Sequence, residues 1–235
     1  MIRRGVLRAI GALAPLLLLA AAPAGMDPVN PSCPQTLDFS AYPEMRFTFR
    51  EMSGLRVLLA EGRIDAGVEA RLADAYAAHN PIDEIWFRSP GGDAKAGNAA
   101  GLFIRSLVVA TRVPKGWACF SACNFMFMGG RARIVEPGGQ FVVHMFTHLA
   151  DKKAIRGELA KGGDQAIDLI GDVEQGSALL ASEDNDFLIR MGVSRKLLTD
   201  VMYRQKAIAG SGEDRSTRRC LSQQEMRDYN VVNAQ

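Results

Sequence analysis

The sequence predicts an α/β fold with a mostly parallel sheet followed by C-terminal helices. Three observations point to it. Short apolar runs at 55–60, 85–87 and 108–113 have the length and bounding turns of buried strands. Segments with apolar residues at helical spacing separate them, and such alternation calls for parallel strands joined by crossover helices. From Lys152 onward the chain is polar and reads as helical.

The elements follow in order. Pro28, Pro31, Pro34 and Pro43 make 25–46 read as a linker before a domain spanning 47–235. Phe47-Thr48-Phe49 alternates like an edge strand, and Glu61-Gly62 ends the strand at 55–60. Asp65 is placed to cap a helix running to about Ala78, with Val68, Leu72, Ala75 and Tyr76 on one face. Asn80-Pro81 stops it. After the strand at 85–87, Ser89-Pro90-Gly91-Gly92 is a tight turn into a helix over 94–107. The apolar run 119–128 reads as helix, and 133–135 and 141–144 as strands around Pro137-Gly138-Gly139. Helices are expected at 181–191 and 194–204, split by Gly192. A loop opens at Ser211-Gly212, and a last short helix spans 221–229.

Composition is that of an ordinary globular domain: 235 residues, 48% hydrophobic, 23% charged and a net charge of +2. The basic residues are scattered and aromatics are few, so no nucleic-acid partner is expected. Residues 1–24 read as a signal peptide. Arg3, Arg4 and Arg8 precede an apolar run over 9–22, and Ala22-Pro23-Ala24 offers small residues for cleavage. The expected location is periplasmic or secreted, the alternative being a membrane anchor formed by an uncleaved signal. Cys33, Cys119, Cys123 and Cys220 suit an oxidising compartment. Cys119–Cys123 with Cys33–Cys220 is one of three full pairings, and buried free thiols are the alternative. Cys119 and Cys123 lack the spacing and the second pair of a zinc site, so no metal or cofactor is expected.

Three pieces carry chemistry. Ser89-Pro90-Gly91-Gly92-Asp93 sits between strand and helix, where backbone N–H groups can approach an oxyanion. Ser121, within Cys119-Phe120-Ser121-Ala122-Cys123, stands at the start of an apolar helix; read alone it is an ordinary N-cap. His144 ends the apolar strand Phe141-Val142-Val143-His144 and could return to Ser121 as general base. His148 would join His144 on a metal only if both lay on a helix. His79 reads as a surface residue.

In this order the pieces resemble Clp-type serine proteases of the ClpP/crotonase superfamily. Ile85 to Gly92 resembles their strand and glycine turn, Ser121 with Phe125 to Gly130 their nucleophile helix, and Val142-Val143-His144-Met145 their histidine strand. Leu221-Ser222-Gln223-Gln224-Glu225 and Tyr229-Asn230 resemble the terminal helix. Cys119-x-Ser121-Ala122-Cys123 is similar to a poorly characterised exported branch. The resemblance implies a spiral of ββα units and peptide hydrolysis through an acyl-enzyme. It makes Ser121 the nucleophile and His144 the base, with the N–H groups of Gly92 and Ala122 as oxyanion donors. It implies peptide or unfolded-protein substrates and self-association through 152–215, and export leaves no ATPase partner to expect. One position departs from the pattern. Where such proteases place an aspartate before the terminal helix, this chain has Arg218, and neither Asp200 nor Asp214 matches. The third triad member is therefore unassigned. Two readings compete with the hydrolase: an inactive binding or assembly protein on the same scaffold, and a crotonase-like acyl-thioester enzyme. Export away from coenzyme A opposes the latter.

Overall fold

The computed structural model describes residues 25–145, 152–206 and 217–234. The signal peptide expected at 1–24, His148, Asp214 and the loop expected at Ser211-Gly212 lie outside the described residues. In chain order, β1 (Arg46–Met52) and β2 (Leu55–Glu61) form a hairpin. They are followed by α1 (Val68–His79), β3 (Glu84–Arg88), α2 (Ala94–Leu107) and β4 (Ala110–Val113). Then come β5 (Ala118–Phe120), α3 (Cys123–Met128), β6 (Arg133–Val135) and β7 (Gln140–His144). The C-terminal part holds α4 (Lys152–Leu159), α5 (Gly163–Met191), a π turn (Leu197–Val201), a 3-10 turn (Met202–Arg204), β8 (Arg218–Cys220) and α6 (Gln223–Asp228).

The strands form two sheets. One has the order β1-β2-β3-β4-β6 and is parallel except for the antiparallel edge strand β1. The other has the order β5-β7-β8, with β5 and β7 parallel and β8 antiparallel to β7. Single bridges, Ile64 to Gly92 and Ser89 to Cys119, continue the second sheet into the earlier turns of the chain. Each turn therefore repeats one scheme: a strand in the first sheet, a strand or bridge in the second, then a helix. This is a ββα spiral, and the α/β class read from the sequence holds.

Local chemistry accounts for most boundaries. In β3, Ile85 and Phe87 are wholly buried in the core that the helices share. Asp93 Oδ1 accepts from the Ala96 N–H at 2.9 Å and fixes the start of α2. At Gly97 a Cβ would stand 2.8 Å from the Ala122 carbonyl oxygen, so α2 lies directly on the residues that lead into α3. Ser222 and Glu225 form a reciprocal capping box on α6.

Several elements differ from the sequence reading. Asp65 does not cap α1; its carboxylate accepts from the Gly67 N–H and from Arg71. Residues 118–120 are strand rather than helix. The helix expected from 181 begins at Gly163, because Gly171 and Gly176 weaken the helical signal without breaking the helix. Gly192, left-handed at φ 68°, ends it, and the segment after it is a π turn and a 3-10 turn. β8 was not foreseen, since Arg218-Arg219 looks like loop. It is held by Cys33–Cys220 and by Asn30 Oδ1, which accepts from the Arg218 N–H at 2.7 Å. The stretch read as linker, 25–46, thus touches the second sheet at Asn30, Cys33 and Asp38, whose carbonyl accepts from the Ala118 N–H, and its last residue opens β1.

Arg133 is 1% exposed and is met by four backbone carbonyls, those of Val231 and Asn230 at 2.8 Å and of Gly130 and Met191 at 3.3 Å. Met191 ends α5, and Gly130, Asn230 and Val231 lie just past the ends of α3 and α6, where helix dipoles present negative potential. Burial, with some help from Arg105, pushes the guanidinium down to about 10, so it stays charged at neutral pH. Between α2 and α5, Asn98 Nδ2 donates to Asp184 Oδ1 at 3.0 Å, and burial pushes the Asp184 carboxyl up to about 6.

Two stability measurements test these contacts. Arg133→Ala leaves the Val231, Asn230 and Met191 carbonyls without this donor, while Gly130 keeps Arg105. It is expected to cost about 3 kcal/mol, a fall of roughly 6–12 °C in a thermal melt. Arg133→Lys, with one ammonium in place of a planar fork, should recover less than half of that loss. For Asp184 the folded state holds its proton more tightly than the unfolded chain does. Its favourable contribution is complete below the unfolded pKa and is lost as pH rises through about 6. Asp184→Asn should therefore add about 1–2 kcal/mol at pH 7.5 and flatten the stability profile between pH 4 and 6, read by urea denaturation.

Candidate active site

The site is assembled where the second sheet meets the start of α3. β5 and β7 are parallel neighbours with Phe120 opposite Val142. Ser121 follows Phe120, and His144 lies two residues past Val142 on the same side of the strand. Ser121 has φ 58°, a left-handed conformation that turns the chain sharply between β5 and α3. Its hydroxyl lies 2.7 Å from His144 Nε2. The N-cap of α3 is Ala122, which makes no side-chain capping bond. Ser121 is thus no helix cap; its oxygen is directed at the histidine.

The glycine turn closes on this corner. Ser89, wholly buried, donates its Oγ proton to the Gly62 carbonyl at 2.6 Å and accepts from the Gly91 N–H at 3.1 Å. Gly91 is left-handed, and a Cβ there would stand 2.5 Å from the Phe120 carbonyl oxygen and 2.7 Å from Ser121 Cβ. No larger residue could lie so close to the serine. The backbone N–H groups of Gly92 and Ala122 donate to no acceptor among the described residues. Ala122 is 2% exposed, and a buried N–H left unpaired is rare. Both donors lie on the turns that meet at Ser121, as an oxyanion site requires.

His144 is 9% exposed. Burial and then the positive charge of Arg218 push the imidazole down to about 4. Arg218 stands directly opposite His144 in the β7–β8 register, with its guanidinium 3.6 Å from Asp27. The ring is therefore neutral at pH 7 and can accept a proton. Phe120 packs on it at 4.6 Å between centroids, and Phe39 from the N-terminal segment stacks on Phe120 at 6.0 Å.

All four cysteines are paired, Cys33 with Cys220 and Cys119 with Cys123. The four-residue spacing is awkward on a helix. It closes here because Cys119 is on a strand, Cys123 opens the helix and Ser121 reverses the chain between them. Among the described residues no group of three or more His, Cys, Asp or Glu is placed to hold a metal. Asp200 lies on the π turn and accepts from Thr199. His79 stacks on Phe49 at 4.7 Å.

Sequence reasoning missed two contributors. Asn124 is 1% exposed, and its Nδ2 donates to the Val142 carbonyl at 2.7 Å. That carbonyl also accepts from the Ser121 N–H at 3.4 Å, so Asn124 ties the Ser121 turn to the histidine strand. The signal for it was present: one amide in the otherwise apolar run 123–128. Arg218 was noted as a departure, but its effect on His144 needed the strand β8.

The imidazole sets a pH dependence. An imidazole held near 4 is neutral from about pH 5 upward and takes up a proton as pH falls through about 4. Labelling of Ser121 by a fluorophosphonate should be flat between pH 5.5 and 8 and half-lost near pH 4. Arg218→Gln removes a positive charge and should move the inflection upward. An inflection near 6.5 in the unsubstituted protein would show that burial and Arg218 do not govern the base.

No family model matches the chain, and none of the curated proteins does. Among solved structures it is similar to a point mutant of ClpP1 from Listeria monocytogenes, at 18% sequence identity and a TM-score of 0.46. The likeness covers 76% of this chain and 89% of that one. The ββα spiral is established by this chain's own strand order.

Proposed function

We propose that this chain is an exported, ATP-independent serine hydrolase, a Clp-like peptidase that works through an acyl-enzyme on Ser121. The observation that carries the reading is a left-handed serine 2.7 Å from a buried, neutral imidazole. In the reaction His144 Nε2 takes the Ser121 proton as Oγ attacks the scissile carbonyl carbon. The oxyanion is received by the Gly92 and Ala122 N–H groups. His144 then gives the proton to the leaving amine, and water cleaves the ester by the reverse path. Peptides and unfolded chains are the substrates this reading favours, since export removes the protein from any ATP-driven unfoldase. Exposed Ile167 and Ile170 on α5 support self-association through the α4–α5 segment.

One observation favours a second reading, a binding protein on the same scaffold. A base held near 4 is a weak one, and Arg218 disfavours the imidazolium that forms during attack. Fluorophosphonate labelling of the mature protein separates the two. The hydrolase reading expects labelling that disappears in Ser121→Ala and falls by about 10³-fold in His144→Ala. Labelling that survives Ser121→Ala excludes this serine as nucleophile. A folded protein that does not label at all supports the binding reading.

A further inference from the structure

The two disulfides differ in what they hold. Cys33–Cys220 spans 187 residues and fastens the N-terminal segment to β8. Cys119–Cys123 spans four and encloses Ser121. Closing a long loop removes far more freedom from the unfolded chain than closing a short one, so the first bridge is the one that stabilises the fold. The second contributes little in that way and calls for another account.

That account lies in the backbone at 121. A non-glycine residue in the left-handed region is disfavoured by about 1–2 kcal/mol and persists only where its surroundings impose it. Relaxation of Ser121 to right-handed or extended backbone would swing Oγ away from Nε2. Noncovalent restraints act from the sides, Gly91 against Phe120 and Ser121 and Asn124 on the Val142 carbonyl. The Ser121 carbonyl accepts from the Asn124 N–H at 2.9 Å, which fixes the far side of residue 121 only. The direct hydrogen bond from the Ser121 N–H is long, at 3.4 Å. A covalent bridge joins the residues two before and two after Ser121, with Cα atoms 5.4 Å apart and both cysteines wholly buried.

We propose that the Cys119–Cys123 disulfide is a positioning device that holds Ser121 in its left-handed conformation against His144, while Cys33–Cys220 supplies stability. The proposal deepens the hydrolase reading and rests on it for its kinetic arm. A second arm, the backbone conformation of Ser121, does not depend on activity.

The test compares the mature protein with two double variants, Cys119→Ala/Cys123→Ala and Cys33→Ala/Cys220→Ala. Three quantities are measured: the fluorophosphonate labelling rate, the melting temperature, and the Ser121 13Cα and 13Cβ chemical shifts. The 119/123 variant should melt within about 5 °C of the parent. It should label at least about 30-fold more slowly, and its Ser121 shifts should leave the left-handed range. The 33/220 variant should melt roughly 10 °C lower or more. Measured well below its own transition, it should label within about threefold of the parent. Labelling of the 119/123 variant within threefold of the parent, or left-handed shifts retained in it, overturns the proposal. Failure of that variant to fold overturns it too, because the bridge would then be a stabilising one. If the parent itself does not label, the hydrolase reading fails, and the Ser121 shifts alone decide the positioning claim.

Discussion

With β5 and β7 paired so that Phe120 faces Val142, the residue after Phe120 can reach His144 only if the chain reverses at position 121. That reversal puts a serine in backbone space that serine avoids. Much of the nearby structure can be read as the restraint this demands. Gly91 and Gly97 let a turn and a helix press on residues 120–122 from two directions. Asn124 reaches across to β7, and a disulfide closes around the corner. A looser corner would still fold, but it would not hold Oγ and Nε2 at bonding distance.

The electrostatics of the corner run against the usual support for a catalytic histidine. Burial and Arg218 both oppose the charged imidazole. The result is an imidazole that is neutral near pH 7. Among the described residues the Gly92 and Ala122 N–H groups have no acceptor, and such donors would act on an oxyanion rather than on the ring.

Local chemistry made part of this legible. The glycine turn precedes α2, and the apolar run Ile85-Trp86-Phe87 marks β3, so the turn at 89–92 could be read directly. Ser121 and His144 stood out by their order along the chain. Their contact depends on the register of β5 and β7, which no local pattern encodes. β8 stayed hidden because its residues look solvated until Cys33 and Asn30 hold them to the sheet. The strand character of 118–120 was masked by the apolar helix after it. Arg133, in a three-residue strand, gave no sign that helix ends from remote parts of the chain would meet on it.

Arg133 also ties distant parts of the chain together. Its four carbonyls come from positions 130, 191, 230 and 231, so the partners of this buried cation are drawn from as far as 98 residues along the chain. Burying that charge without those carbonyls would leave it unpaired, at a cost of several kcal/mol. Packing around position 133 is therefore coupled to the C-terminal part of the chain, which also supplies β8, the strand beside His144.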